Sequence, residues 1–336
     1  MSDFGFIVLS LTGRCNLACA YCYAQAGPGG GDMDLETGLK ALKRLTRPDK
    51  AVTVELAGGE PLLQFELIKE LLTEAKKVRP MLRFALQTNG LLLDQEKLTF
   101  LRQNRVGLGL SLDGLPQIND LTRGNSRAVL KALDLLDQNK VGVNITVVLT
   151  RYNLAEMPKF LLFLGSRPSV RVINLDLVRP LGRAESTDLK PMSEDIYQAV
   201  PKMLSTLDFV NQRRWPPLKI READQNLRRA CLKEQRPYCM AAEGRAVAVD
   251  PAGDLYLCAS LAGRKEYRLG NLDDQNLLDP VEMSQDWCLP PECRKCEVRL
   301  ICRGGCPSRR IAYNGRPDMK SRLDCALRRT IFKESS

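Results

Sequence analysis

The stretch Thr12-Gly13-Arg14-Cys15-Asn16-Leu17-Ala18-Cys19-Ala20-Tyr21-Cys22 decides how the rest of the chain is read. It follows an apolar, strand-like run over residues 6–11 and brings three thiols within eight positions, Cys15, Cys19 and Cys22, spaced x3 and x2. No obvious fourth ligand lies nearby. Four cysteines complete a [4Fe–4S] cubane, whereas three leave one iron open. An open metal position is where a small molecule can bind and react. The competing readings are three unrelated thiols or an irregular zinc site, and the place of the loop directly after a strand speaks against both.

Working outward, strand-like runs recur at 52–56, 82–86, 106–110, 141–149 and 170–177. Helical patterns lie between them at 35–45, 65–78, 94–104, 126–139 and 153–164, with a further one at 193–210. Strand–helix alternation implies βα units and a parallel sheet. Six such units predict an α/β fold, a partial (βα)6 TIM-type barrel, curved but not closed. Functional groups on such barrels sit where strands end. Gly58-Gly59-Glu60-Pro61 follows the second strand, Gln87-Thr88-Asn89-Gly90 the third, and Ser111-Leu112-Asp113-Gly114 closes the fourth. Four polar or glycine-rich clusters, the cysteine loop included, therefore fall on one rim.

The character changes near residue 212. Trp215-Pro216-Pro217 reads as a linker, and nine of the twelve cysteines lie beyond it. The expected organisation is a barrel over 1–212, a linker over 213–230 and a cysteine-rich domain over 231–336. Residues 246–249 and 255–257, around Pro251-Ala252-Gly253-Asp254, predict a β-hairpin. The 336 residues carry 44% hydrophobic residues, no apolar run long enough to span a membrane and no signal-peptide start, so the reading is cytoplasmic. The net charge of +10 comes from scattered Lys and Arg rather than a basic block, which argues against nucleic acid as a partner. The chain has no His, which excludes Ser-His-Asp and Cys-His nucleophile chemistry and His-bound zinc or haem. Twelve cysteines without an export signal point to metal rather than disulfides.

With Tyr21 in the aromatic position of C-x3-C-x-aromatic-C, the first motif resembles that of the radical S-adenosylmethionine (SAM) superfamily. The resemblance implies that Cys15, Cys19 and Cys22 hold a [4Fe–4S] cluster whose open iron is chelated by SAM. Reductive cleavage of SAM then gives a 5′-deoxyadenosyl radical that takes hydrogen from a substrate. It also implies that Gly58, Gly59 and Glu60 hold the SAM amino group, and that Ser111 and Asp113 lie near the ribose with Gln87 or Asn89 close by. Arg123 would be a carboxylate partner, in a segment where Asn119 stands in place of a His common among relatives.

The later cysteines resemble the SPASM domain, an auxiliary-cluster extension of radical SAM enzymes. Thirteen residues separate Cys239 from Gly253 and four separate Gly253 from Cys258; Cys293-x2-Cys296-x5-Cys302-x3-Cys306 comes next, then Cys325 after eighteen more. By resemblance, Cys293, Cys296, Cys302 and Cys325 ligate one auxiliary [4Fe–4S] cluster. Cys239, Cys258 and Cys306 ligate another, with Cys231 as candidate fourth ligand, and Cys288 is left over. Without Cys231 that second cluster would keep an iron open to substrate. A structural zinc site is the alternative for the C-x2-C pair.

Three functions stay open: radical modification of a peptide or protein, such as maturation of a ribosomally made peptide; radical chemistry on a small molecule such as a sugar or tetrapyrrole precursor; and a non-catalytic iron–sulfur or zinc scaffold. Cys258 is followed by Ala259 rather than the Asp of sulfatase maturases, which counts against sulfatase maturation. With the barrel beginning by residue 6, a peptide would dock directly or come with a separate leader-peptide escort protein. A reducing donor such as flavodoxin or ferredoxin is implied as well.

Overall fold

A computed structural model describes residues 3–232, 236–287 and 289–335. In chain order the elements are β1 (Phe6–Ser10), α1 (Leu35–Leu45), β2 (Val52–Ala57), α2 (Phe65–Val78), β3 (Leu82–Thr88), α3 (Gln95–Gln103), β4 (Gly107–Ser111), α4 (Pro116–Thr122), α5 (Ser126–Gln138), β5 (Val143–Leu149), α6 (Met157–Gly165), β6 (Val170–Leu177) and α7 (Ser193–Asn211). Then come β7 (Lys219–Ile220), α8 (Arg221–Leu232), β8 (Ala246–Val249), β9 (Asp254–Tyr256), β10 (Arg268–Asn271), α9 (Pro280–Gln285), α10 (Arg299–Cys302), α11 (Pro307–Asn314) and α12 (Arg322–Ser335). The six strand–helix alternations expected from the sequence are all present. The segment expected as a linker instead carries β7 and most of α8. Its Trp215-Pro216-Pro217 turn lies just past the end of α7 but does not end the packed chain.

The chain divides into two compact units, each discontinuous in sequence. The first holds residues 1–18, 24–108 and 239–288. Its strands run β10-β9-β8-β1-β2-β3. β1 pairs in parallel with β2 on one side and with β8 on the other. The predicted hairpin is present as β8–β9, so the cysteine-rich segment contributes strands to the sheet begun by β1. The second unit holds residues 19–23, 109–238 and 289–336, with β5, β6 and β7 in parallel succession.

Within each unit the strands alternate cleanly. Ile7, Leu9, Val54, Leu56, Phe84 and Leu86 are buried along β1 to β3, as are Ile145, Val147, Ile173 and Leu175 on β5 and β6. Side chains alternate across a strand, so the intervening residues share the other face. There they are half-exposed and include Thr53, Glu55 and Gln87 in the first unit and Thr146, Asn174 and Asp176 in the second, beside apolar residues such as Val8, Ala85 and Val148. A closed barrel interior is filled with branched apolar side chains. Each of these sheets has one buried apolar face and one half-exposed face that carries polar side chains, which suits ligand binding. Helix starts are fixed locally: Asp34 accepts from Thr37 N at 2.7 Å to cap α1, and Asp94 from Lys97 N at 2.8 Å to cap α3.

Candidate functional site

In the first unit the chain after β1 is ordered by backbone hydrogen bonds. Cys15 N donates to Gly27 O at 2.8 Å and Gly13 N to Gly31 O at 2.8 Å. The loop after β2 packs directly on it: Gly59 N donates to Thr12 O at 2.7 Å and Glu60 N to Arg14 O at 2.9 Å. Both glycines are required by this approach. Gly58 sits at φ +142°, and a Cβ on Gly59 would lie 2.1 Å from Arg14 O.

Glu60 is fully buried. One carboxylate oxygen accepts from Leu62 N at 3.1 Å and Thr88 Oγ1 at 2.7 Å, the other from Asn89 N at 2.8 Å. Glu60 thus ties the end of β2 to the end of β3. Asn89 continues the chain of contacts, donating from Nδ2 to Asn16 Oδ1 at 2.8 Å and lying 3.9 Å from Cys15 Sγ. Gln87 is half-buried on the polar face of β3.

In the second unit Tyr21 reaches Asp113, at the end of β4. Its hydroxyl hydrogen-bonds Asp113 Oδ2 and accepts from Arg123 Nη1 at 2.6 Å. Thr122 Oγ1 donates to the same Asp113 oxygen at 3.1 Å and Val148 N to the other at 2.9 Å. Burial pushes the Asp113 carboxyl up, against the pull of Arg123 and its donors, and burial also drives the Tyr21 hydroxyl well up. Ala20 N donates to Thr122 O at 2.8 Å. Asn119, the departure noted in the sequence, accepts from Asp113 N at 3.2 Å and donates to Gly124 O at 3.2 Å, fixing the turn that presents Arg123. Ser111 is buried at the end of β4.

The loop after β6, which the sequence did not single out, also holds this segment. Arg183 Nε donates to Cys19 O at 2.8 Å and Arg183 N to Cys22 O at 3.1 Å. Gly182, at φ +61°, comes so close that a Cβ would lie 2.5 Å from Cys22 O. Its signal was a Pro-Leu-Gly-Arg turn at the end of a strand, which on its own resembles any loop. Cys15 belongs to the first unit, Cys19 and Cys22 to the second.

The late cysteines also divide. Cys239 and Cys258 lie in the first unit, Cys258 leading from β9 into a short turn with its carbonyl accepting from Leu261 N at 2.9 Å. Cys293, Cys296, Cys302, Cys306 and Cys325 lie in the second. There Cys293, Cys296, Cys302 and Cys325 form one electrostatic neighbourhood. Burial, helped by Asp324 and Cys293 and opposed by Arg328, brings the Cys302 thiol up to about 11. Burial, with Cys302 and Cys293 nearby, brings Cys325 up to about 12, and burial and Cys296 raise Cys293. Arg303, Gly304 and Gly305 are consecutively left-handed, and the Gly304 amide hydrogen-bonds the Cys302 sulfur.

Cys306 differs: burial raises it, but Arg309 and Arg179 outweigh burial and hold it below the usual thiol value. Cys231 is exposed near the end of α8, whose Arg229 donates to Ile301 O at 2.7 Å. Cys288 lies outside the described residues.

Among the described residues no group of three or more Cys, Asp or Glu side chains is placed to hold a metal ion, and what suits the groups implied by the sequence is the chemistry of individual residues. Arg123 Nε is buried without a hydrogen-bond partner beside Tyr21, which suits an anionic ligand. The thiols clustered around Cys302 penalise one another when ionised, and bound iron removes that penalty because a coordinating thiol is deprotonated outright. An amide aimed at a cysteine sulfur is a contact that iron–sulfur sites use.

Residues 9–164 match the family model described as the Radical SAM superfamily. The chain carries a radical SAM domain and is an enzyme of that kind. It is 28% identical over 342 residues to a serine-type anaerobic sulfatase-maturating enzyme of Klebsiella aerogenes, covering 91% of this chain and 80% of the relative. It is 28% identical over 326 residues to the mycofactocin maturase of Mycobacterium tuberculosis, covering 91% and 79%. The solved structure described as native anSMEcpe with bound AdoMet and Cp18Cys peptide superposes with a TM-score of 0.82 at 22% identity, covering 98% of this chain and 96% of that one. The α/β fold with its parallel-strand sheet is the one found there. The radical SAM domain implies SAM and one [4Fe–4S] cluster as cofactors. Among the described residues no helix is long and apolar enough to cross a membrane.

Proposed function

We propose that this enzyme modifies a peptide or protein segment by radical chemistry, removing a hydrogen from a residue to oxidise it or crosslink it. The observation that carries the reading is the cysteine loop followed by the late cysteine series, in a chain whose relatives are named as maturases of sulfatases and of mycofactocin. A [4Fe–4S] cluster on Cys15, Cys19 and Cys22, with SAM bound, supplies the hydrogen-abstracting radical.

The chain's own residues bind and orient. Gly58 and Gly59 let the backbone close on the cysteine loop. Glu60 and Asp113 act as positioning groups, since their oxygens are occupied by protein donors. Arg123 offers its charge to the SAM carboxylate, and Gln87, Asn89, Ser111 and Tyr21 line the remaining contacts. In this reading Cys293, Cys296, Cys302 and Cys325 hold one auxiliary cluster. Cys239, Cys258 and Cys306, with Cys231, hold a second. The domain limits of 1–212 and 231–336, a cytoplasmic setting, a flavodoxin- or ferredoxin-type donor and a separate peptide escort belong to the same proposal. The +10 charge favours acidic peptides through steering.

The test is anaerobic reconstitution with SAM and reductant, followed by a turnover screen. Acidic or Cys-containing peptides from neighbouring reading frames are compared with sugars and tetrapyrroles. Peptide-stimulated 5′-deoxyadenosine with a peptide mass change is expected; stimulation by a small molecule alone would overturn the peptide reading.

A further inference from the structure

The second unit holds a buried ionic chain that the ligand count does not use. Arg309, 4% exposed, donates to both oxygens of Asp324 at 2.6–3.1 Å and also pairs with Asp176, near the end of β6. Asp176 accepts in turn from Arg179 Nη1 at 2.6 Å. Arg179 Nε donates to Ser308 Oγ at 3.2 Å, and Nη2 lies 3.9 Å from Cys306 Sγ. Ser308 Oγ is 3.2 Å from the same sulfur. Local sequence explains the meeting. Asp176 is on the polar face of β6 and Arg179 is three residues on. Cys306 and Ser308 flank the first residue of α11. Three hydrogen bonds fix a long, flexible side chain, a cost in rotamer freedom that a surface Arg would not bear.

We propose that Arg179 is a tuning residue for the cluster that Cys306 ligates, its guanidinium held by Asp176 and Ser308 so that it donates to the Cys306 sulfur and raises that cluster's reduction potential. The inference rests on the reading of Cys306 as a cluster ligand. Reduction adds an electron to the cluster. A fixed positive charge beside a ligating sulfur, and a hydrogen bond to it, both favour the reduced form. Arg keeps its charge under all conditions in which the protein is folded. Through the hydrogen bonds named, Asp176 and Asp324 reach the sulfur only by way of the arginines.

The experiment uses the full chain with Cys15, Cys19 and Cys22 changed to Ala, so that only auxiliary clusters contribute. It compares Arg179→Met, Arg179→Lys and Ser308→Ala by iron content and by EPR-monitored redox titration. Arg179→Met should lower one auxiliary midpoint by about a tenfold change in the oxidised-to-reduced ratio, about 59 mV for a one-electron couple. Arg179→Lys and Ser308→Ala should move the same midpoint in the same direction by less. Iron should stay at about eight atoms in each. Iron retained with an unmoved midpoint would overturn the inference alone. Equal loss of iron in Arg179→Lys and Arg179→Met would make Arg179 a structural prop and overturn it too. A parent chain holding no auxiliary iron would remove the ligand reading, and the inference with it.

Discussion

The cysteine loop after β1 and the cysteines around α10–α12 present the same ligand type on different mixtures of support. The early loop combines backbone bonds, such as Cys15 N to Gly27 O, Ala20 N to Thr122 O and Gly59 N to Thr12 O at 2.7–2.8 Å, with one buried charged cluster, Asp113 and Arg123 on the Tyr21 hydroxyl. The late cysteines stand beside buried charges: Arg309 with Asp324 and Asp176, and Arg328 with the Tyr238 hydroxyl at 2.8 Å. A rim that must let a small molecule reach an open iron needs close backbone approach. The late region buries Ile311, Leu323, Leu327 and Ile331, and buried ion pairs add a second means of fixing its cysteines, as bound metal would. Buried pairs place the late region at risk from any change that strips one partner.

The largest effect should come from the early loop's chemistry rather than its stability. Replacing Cys15, Cys19 and Cys22 together by Ala should abolish 5′-deoxyadenosine formation. It should also remove about four iron atoms, leaving the auxiliary iron in place. Loss of all iron at once would show that the two regions are one cooperative metal unit.

Next is the late region's fold. Arg309→Leu leaves Asp324 buried without the arginine that donates to both its oxygens, and should cost about 3–5 kcal/mol in anaerobic denaturant unfolding. A cost below about 1 kcal/mol would mean that the ionic chain is incidental to stability.

Glu60→Ala removes the acceptor for Leu62 N, Thr88 Oγ1 and Asn89 N, at about 1–3 kcal/mol. SAM affinity, read by equilibrium dialysis, should fall while iron content holds. Unchanged affinity would reduce the segment to a strand-to-strand tie.

Acid should separate the regions most gently. Arginine neighbours overcome burial to hold Asp176 and Asp324 below the ordinary 3.8. Their stabilisation is therefore present above that value and lost as pH falls through the lower folded values. Burial raises Asp113 above 3.8, so its contribution is present below that value and lost as pH rises through the folded one. Hydrogen exchange as pH is lowered from about 4 to about 2 should open α11 and α12 before the end of β4. The reverse order would sink the comparison.

The sequence by itself determined the six βα alternations, because one apolar face per strand and per helix imposes its period on neighbouring residues. It also determined the ligand spacings and the Gly58-Gly59-Glu60 turn, since those are local requirements of chain geometry. The sequence did not disclose β7 and α8, because Trp215-Pro216-Pro217 marks a break and carries no information about the elements beyond it. Only the tertiary structure decided which oxygen meets which donor. Tyr21 lies 92 residues from Asp113, Asp176 lies 133 from Arg309, and Arg179 lies 127 from Cys306. No local period records such pairs. A buried Arg and an exposed Arg look alike in a sequence, and only burial turns the charge into an obligation to find a partner.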